Sequence, residues 1–100
     1  MLIVKKFGGS SVADKERIFN VANRCIEDYK AGHKVVVVLT AMGKTTDGLL
    51  AKAADINPHA SKRELDMLLT TGEQVSVALM AMAMGALGVP AVSLNAFQVR

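Results

Sequence analysis

The chain is short of several things, and each shortage removes a class of protein. A single cysteine, Cys25, in 100 residues excludes an internal disulfide framework. Its place among apolar helix positions makes it a packing residue and points to a reducing compartment, the cytoplasm. Tryptophan is absent, tyrosine occurs once and aromatics total 4%, so there is no stacking platform for nucleic acid. Twelve basic against nine acidic residues leave a net charge of only +3, too small for a basic stripe but suited to an anionic small molecule. No secretory leader is visible, because Met1 runs straight into a strand pattern. Internal repeats and low-complexity linkers are missing too. Charge itself is missing between Glu73 and Arg100, a stretch long enough for a membrane span. Gly85, Gly88 and Pro90 interrupt that stretch, and Ala and Met outnumber Leu and Ile in it, which favours a buried helix followed by a strand over a membrane segment. With 51% hydrophobic and 21% charged residues, the chain reads as one compact unit able to bury a core.

What is present begins with Lys6-Phe7-Gly8-Gly9-Ser10-Ser11-Val12, directly after the apolar strand Leu2 to Val4. A glycine pair lets backbone N–H groups approach an anion, a following helix N-terminus adds partial positive charge, and Lys6 adds a full one. The hydroxyls of Ser10 and Ser11 suit either a helix cap or a phosphate oxygen. Alone, the segment reads equally well as an ordinary strand-turn-helix corner.

Ile18, Ala22, Cys25, Ile26 and Tyr29 recur at helical spacing, with Glu16, Asn20, Asn23, Glu27 and Lys30 on the other face. Gly32 ends this helix, and Val35 to Leu39 is a run of five apolar residues, the pattern of a parallel strand covered on both faces. A second loop, Thr40 to Asp47, leads into a helix with Leu49, Leu50, Ala53 and Ala54 that closes before Asn57-Pro58. Ser61 and Glu64 form a capping-box pattern for a short helix to about Leu69, and Thr71 with Gln74 repeats it for a long helix to about Leu87. Gly88 suits the C-terminal cap, and Ala91 to Leu94 reads as a third strand. This alternation predicts an α/β fold, a doubly wound parallel-sheet α/β/α layer with its ligand beyond the carboxyl ends of the strands. The Gly8 and Gly43 loops would then share one crevice.

Gly43-Lys44-Thr45-Thr46 imitates the end of a Walker A motif, but the glycine required five positions earlier is replaced by Val38, inside a strand. Thr45 and Thr46 are equally candidates for the helix N-cap.

Taken together, Lys6-Phe7-Gly8-Gly9-Ser10-Ser11-Val12, Thr40-Ala41-Met42-Gly43 with Thr46-Asp47, and Leu69-Thr70-Thr71-Gly72-Glu73-Gln74-Val75-Ser76 resemble aspartate kinase in order and spacing. The resemblance spans nearly the whole chain. It covers the N-terminal part of that family's catalytic domain, of the amino acid kinase (carbamate kinase-like) fold. It implies ATP-dependent phosphorylation of the β-carboxylate of L-aspartate, the first step of lysine, threonine and methionine biosynthesis. ATP would arrive with Mg²⁺, for which no protein ligand is identified.

By position, the resemblance makes Lys6 the catalytic, phosphate-stabilising lysine and Gly8, Gly9, Ser10 and Ser11 the ATP-phosphate cradle. Thr46 and Glu73 become aspartate contacts, with Thr40, Ala41 and Asp47 as further candidates. Glu73 has an alternative as a carboxylate serving a helix dipole. Three positions depart from the family pattern: Ser10 where threonine is frequent, Thr40 where serine is, and Asp47 where asparagine is. Asp47 places a negative charge near the phosphate site, offset by Lys44 or serving a helix N-terminus.

The family's glycine-rich nucleotide segment, its arginine for the substrate α-carboxylate and its paired ACT domains find no counterpart in residues 1–100, so an incomplete enzyme, inactive alone, is expected. The resemblance implies a homo-oligomer for the complete enzyme. A different reading is an assembly module using the apolar helix from Val75 to Leu87, whose Met80, Met82 and Met84 belong more naturally to a core.

Overall fold

The computed structural model describes residues 1–94. Strand β1, Leu2–Phe7, and strand β2, Lys34–Leu39, pair in parallel, in register from Leu2 opposite Lys34 to Phe7 opposite Leu39. Valine-rich segments suit a pleated, half-buried surface. A parallel pair requires a crossover, and helix α1, Lys15–Lys30, supplies it. Asp14 caps α1 by accepting the Arg17 N–H at 2.9 Å. Helix α2 spans Thr45–Ile56 and helix α3 spans Lys62–Ala86.

The core lies between one face of the sheet and the helices. Ile18, Val21, Ala22 and Cys25 of α1 meet Met80, Ala83 and Met84 of α3 and Leu39 of β2, with Phe7, Val35 and Val37 packed behind them. Lys5 shares this face and pairs with Asp28 of α1. The hydrogen bond to Asp28 holds its ammonium above the usual lysine range, although burial works against it. Cys25 is buried as expected, and that burial pushes its thiol up.

The opposite face differs from the expectation of a strand covered on both sides. Strand alternation places Leu2, Val4, Lys6, Val36 and Val38 there, and Val36 and Val38 are 47% and 44% exposed. Continuous apolar sequence marks a strand for burial on both faces, but within the described residues the helices cover only one.

Two helices expected between Ser61 and Leu87 are one. The hydroxyls of Thr70 and Thr71 donate to the carbonyls of Met67 and Leu68, both at 2.7 Å, so neither threonine starts a helix. Ser61 does cap α3, accepting the Glu64 N–H at 3.4 Å, but the Glu64 carboxylate pairs with Arg63 instead of closing the capping box. Gly88, at φ 84°, follows the C-cap Leu87 as the sequence predicts.

By length and composition α3 suffices to cross a membrane. Here one of its faces, carrying Gly72, Ser76, Met80, Ala83 and Met84, is buried. The methionine series splits, since Met80 and Met84 are in the core while Met82 is 67% exposed, two residues being about 200° apart around a helix. Tyr29, expected on the apolar face of α1, is exposed. The third strand is not formed at Ala91–Leu94. These residues have no ladder partner, because the sheet among the described residues contains only β1 and β2. Phe97, Gln98, Val99 and Arg100, which follow it in sequence, lie outside the described residues.

Candidate active site

Phe7 and Leu39 are register partners, so the chain leaves both strands at the same end of the sheet. The two loops that follow are bonded to each other. The Gly43 N–H donates to the Gly9 carbonyl at 3.0 Å, and the Thr40 N–H donates to the Phe7 carbonyl at 3.4 Å. A Cβ on Gly9 would stand 2.8 Å from the Ala41 carbonyl oxygen and 3.4 Å from the Gly43 nitrogen. Glycine at position 9 is therefore demanded by the second loop. Gly8 is different: its backbone is extended and a Cβ there would meet nothing within 4 Å. The open side of the loop lies at Gly8.

Residues Gly9–Val12 form a single 3-10 turn, anchored by the buried Val12. Its opening bond runs from the Ser11 N–H to the Gly8 carbonyl at 3.1 Å. The N–H groups of Gly9 and Ser10 have no backbone acceptor among the described residues, as the first donors of such a turn must. Arg17 braces the turn from α1, its Nη1 donating to the Ser10 carbonyl at 2.8 Å. Ser10 and Ser11 do not cap α1, because this turn intervenes and Asp14 takes that role.

Lys6 is exposed on the open face of the sheet, one residue from the loop. Among the described residues the ion pairs are Lys5–Asp28, Arg17–Asp14 and Arg63–Glu64, so Lys6, Lys44, Asp47 and Glu73 stand outside them. No group of three or more His, Cys, Asp or Glu is placed to hold a metal among those residues.

In the second loop the N-cap of α2 is Lys44, without a side-chain cap, and Thr45 and Thr46 are the first helical residues. The Thr45 N–H turns back to the Met42 carbonyl at 2.9 Å, which starts the helix one residue too early for a threonine cap. The half-buried Thr46 is thus not occupied as a cap. Asp47 lies in the first turn of α2, where a carboxylate complements the helix dipole. Thr40 is half-buried and Ala41 buried.

Glu73 sits near the middle of the 25-residue α3 and is exposed. Its alternative role at a helix start disappears because α3 runs unbroken through this point, and the dipole acts only within the terminal turns. Its neighbour Gly72 docks on the second loop: a Cβ there would lie 3.0 Å from the Ala41 Cβ and 3.2 Å from the Thr45 Cγ2.

The fold thus joins the three sequence motifs by direct contact, Gly9 to Ala41 and Gly43, and Gly72 to Ala41 and Thr45. It does not join the side chains of Lys6, Thr46 and Glu73 by any hydrogen bond among the described residues. A ligand between them would have to do that. Sequence reasoning missed Asp14 and Arg17, and it quoted Gly72 within a motif without giving it a role. Asp14 carried a readable signal, an N-cap residue just ahead of the apolar periodicity at Ile18.

The two glycines make separable predictions. In chemical or thermal unfolding, Gly9→Ala is expected to destabilise by about 1–3 kcal/mol, because its new methyl meets backbone rather than a flexible side chain. Gly8→Ala should change stability by less than about 0.5 kcal/mol. Equal losses at both positions would contradict this division.

A parallel β-α-β unit with two bonded loops over the carboxyl ends of its strands defines an α/β protein. A family profile described as "Amino acid kinase family" matches residues 1–100, and the chain belongs to that family. It is 59% identical to an aspartokinase of Bacillus sp. strain MGA3, over 97% of this chain and 24% of that protein. With the aspartokinase 2 of Bacillus subtilis strain 168 it shares 54% identity over the same proportions. A crystal structure of aspartate kinase from Synechocystis superposes with a TM-score of 0.91 at 51% identity, covering 94% of this chain and 16% of that one. The chain spans about a quarter of the length of the curated relatives it matches.

Proposed function

We propose that these residues form the ATP-phosphate corner and part of the acceptor site of an enzyme that phosphorylates the β-carboxylate of L-aspartate. The observation that supports the reading is the convergence of Gly9, Ala41 and Gly72, by which the Lys6–Val12 loop, the Thr40–Asp47 loop and the Gly72-Glu73 turn of α3 adjoin one another. The similarity to aspartokinases at up to 59% identity supports the choice of acceptor.

The chemistry suits this equipment. A carboxylate is already ionised near neutral pH, so its oxygen can attack the γ-phosphorus without a general base. The bond from that phosphorus to the β–γ bridging oxygen breaks, ADP leaves, and aspartyl phosphate forms. Catalysis then reduces to positioning and charge neutralisation. Lys6 and the N–H groups of Gly9 and Ser10 supply positive charge, and Mg²⁺ carried in with ATP supplies more. Glu73 pairs with the substrate ammonium and Thr46 offers a hydroxyl. The product would serve lysine, threonine and methionine biosynthesis in the cytoplasm, in an enzyme assembled as a homo-oligomer.

The test is a substrate panel on the full-length protein, with the acyl phosphate trapped by hydroxylamine. Hydroxamate formed from aspartate and ATP supports the reading; phosphorylation of acetylglutamate but not aspartate rejects it. Residues 1–100 alone are expected to give no hydroxamate.

A further inference from the structure

Ala41 is enclosed from two sides. A methyl group on Gly9 would lie 2.8 Å from the Ala41 carbonyl oxygen, and one on Gly72 would lie 3.0 Å from its Cβ. The phosphate loop, the second loop and α3 are therefore stacked through three small residues. The absence of a side chain at 72 also clears Thr45 Cγ2 at 3.2 Å and Leu49 Cδ1 at 3.5 Å. All three neighbours belong to the second loop and α2, so added bulk at 72 pushes α3 away from them. Glycine is a poor residue for a helix interior, and at 72 this contact is its physical reason.

We infer that Gly72 is a positioning residue: by letting α3 close on Ala41 and Thr45, it sets the separation of Glu73 from Thr46 at which the acceptor amino acid is held. This rests on the acceptor roles proposed above for Glu73 and Thr46. The phosphate loop is held independently of position 72 by the bond from the Gly43 N–H to the Gly9 carbonyl. Displacing α3 therefore disturbs the acceptor more than the nucleotide.

In the full-length protein, Gly72→Ala is expected to raise the acceptor KM about threefold to tenfold and Gly72→Val further, because small misplacements of a substrate contact are costly. The KM for ATP should stay within about twofold. Ala41→Gly in the Gly72→Ala background removes one of the two opposed methyl groups and should bring the acceptor KM back toward the wild-type value. Gly85→Ala, on the same helix with nothing within 4 Å of the added Cβ, is the control and should leave it unchanged.

Kinetics are read with aspartate, or with whichever amino-acid carboxylate the wild-type protein phosphorylates, so a wrong acceptor is told apart from a wrong role for Gly72. An acceptor KM unmoved by both substitutions overturns the inference, as does an equal rise in both KM values without rescue. The contact is also read without substrate. Gly72→Ala should lower the melting temperature and Ala41→Gly should recover part of the loss, whereas additive shifts would show that the two positions do not touch.

Discussion

Lys6→Ala in the full-length protein is expected to lower kcat by at least about a hundredfold, the scale on which a preorganised charge or donor at a transition state acts. During transfer, negative charge spreads over the equatorial oxygens of the phosphoryl group and builds on the departing phosphate. Lys6 is the one cation within the motif Lys6–Val12, at the carboxyl end of β1, and has no carboxylate partner among the described residues. Its side chain points to the open face of the sheet rather than into the core, so the fold has little need of it. The melting temperature should move only as far as an exposed strand substitution moves it, by less than about 1 kcal/mol in stability. Lys6→Arg should restore activity only in part, since a planar guanidinium does not reproduce a compact ammonium. Steady-state kinetics with a parallel melt check this, and an unchanged kcat would remove Lys6 from the chemistry.

The second large effect belongs to Glu73→Gln, which keeps the shape of the side chain and removes its charge. Hydrogen bonds to charged groups contribute about 1.5–3 kcal/mol, so the apparent KM for aspartate should rise about 10- to 100-fold. Stability should hold, because Glu73 is exposed in mid-helix and glutamine has nearly the same helix propensity. Unaltered aspartate binding with a lowered melting temperature would make Glu73 a structural residue. The two substitutions differ in kind, one acting on kcat and the other on the acceptor KM, which separates transition-state charge from substrate binding.

Much of the fold was legible because it rests on local signals. The 3.6-residue apolar period from Ile18 gave α1, the valine run gave β2, and Gly32 and Gly88 stand where the chain reverses at positive φ. Other features turned on local competitions that pattern does not settle. Thr71 and Gln74 fit a helix start as well as an interior, and the outcome depended on where the threonine hydroxyl found a carbonyl. The exposure of Val36 and Val38 depends on which elements cover the sheet, which no property of those valines specifies.

From sequence alone came the succession β1, α1, β2 and α2, the placement of both loops at the carboxyl ends of parallel strands, and the three motifs that resemble aspartate kinase. These follow from periodicity, turn chemistry and residue type, all properties of neighbours in the chain. The tertiary structure alone decided that Gly9 is reserved for the second loop while Gly8 is open, that Glu73 lies in the middle of a continuous helix, and that Gly72 brings that helix onto Ala41 and Thr45. The clearances at Gly9 and Gly72 are contacts between residues tens of positions apart, set by ångström-scale steric fit between separate elements, and a one-dimensional pattern does not contain them.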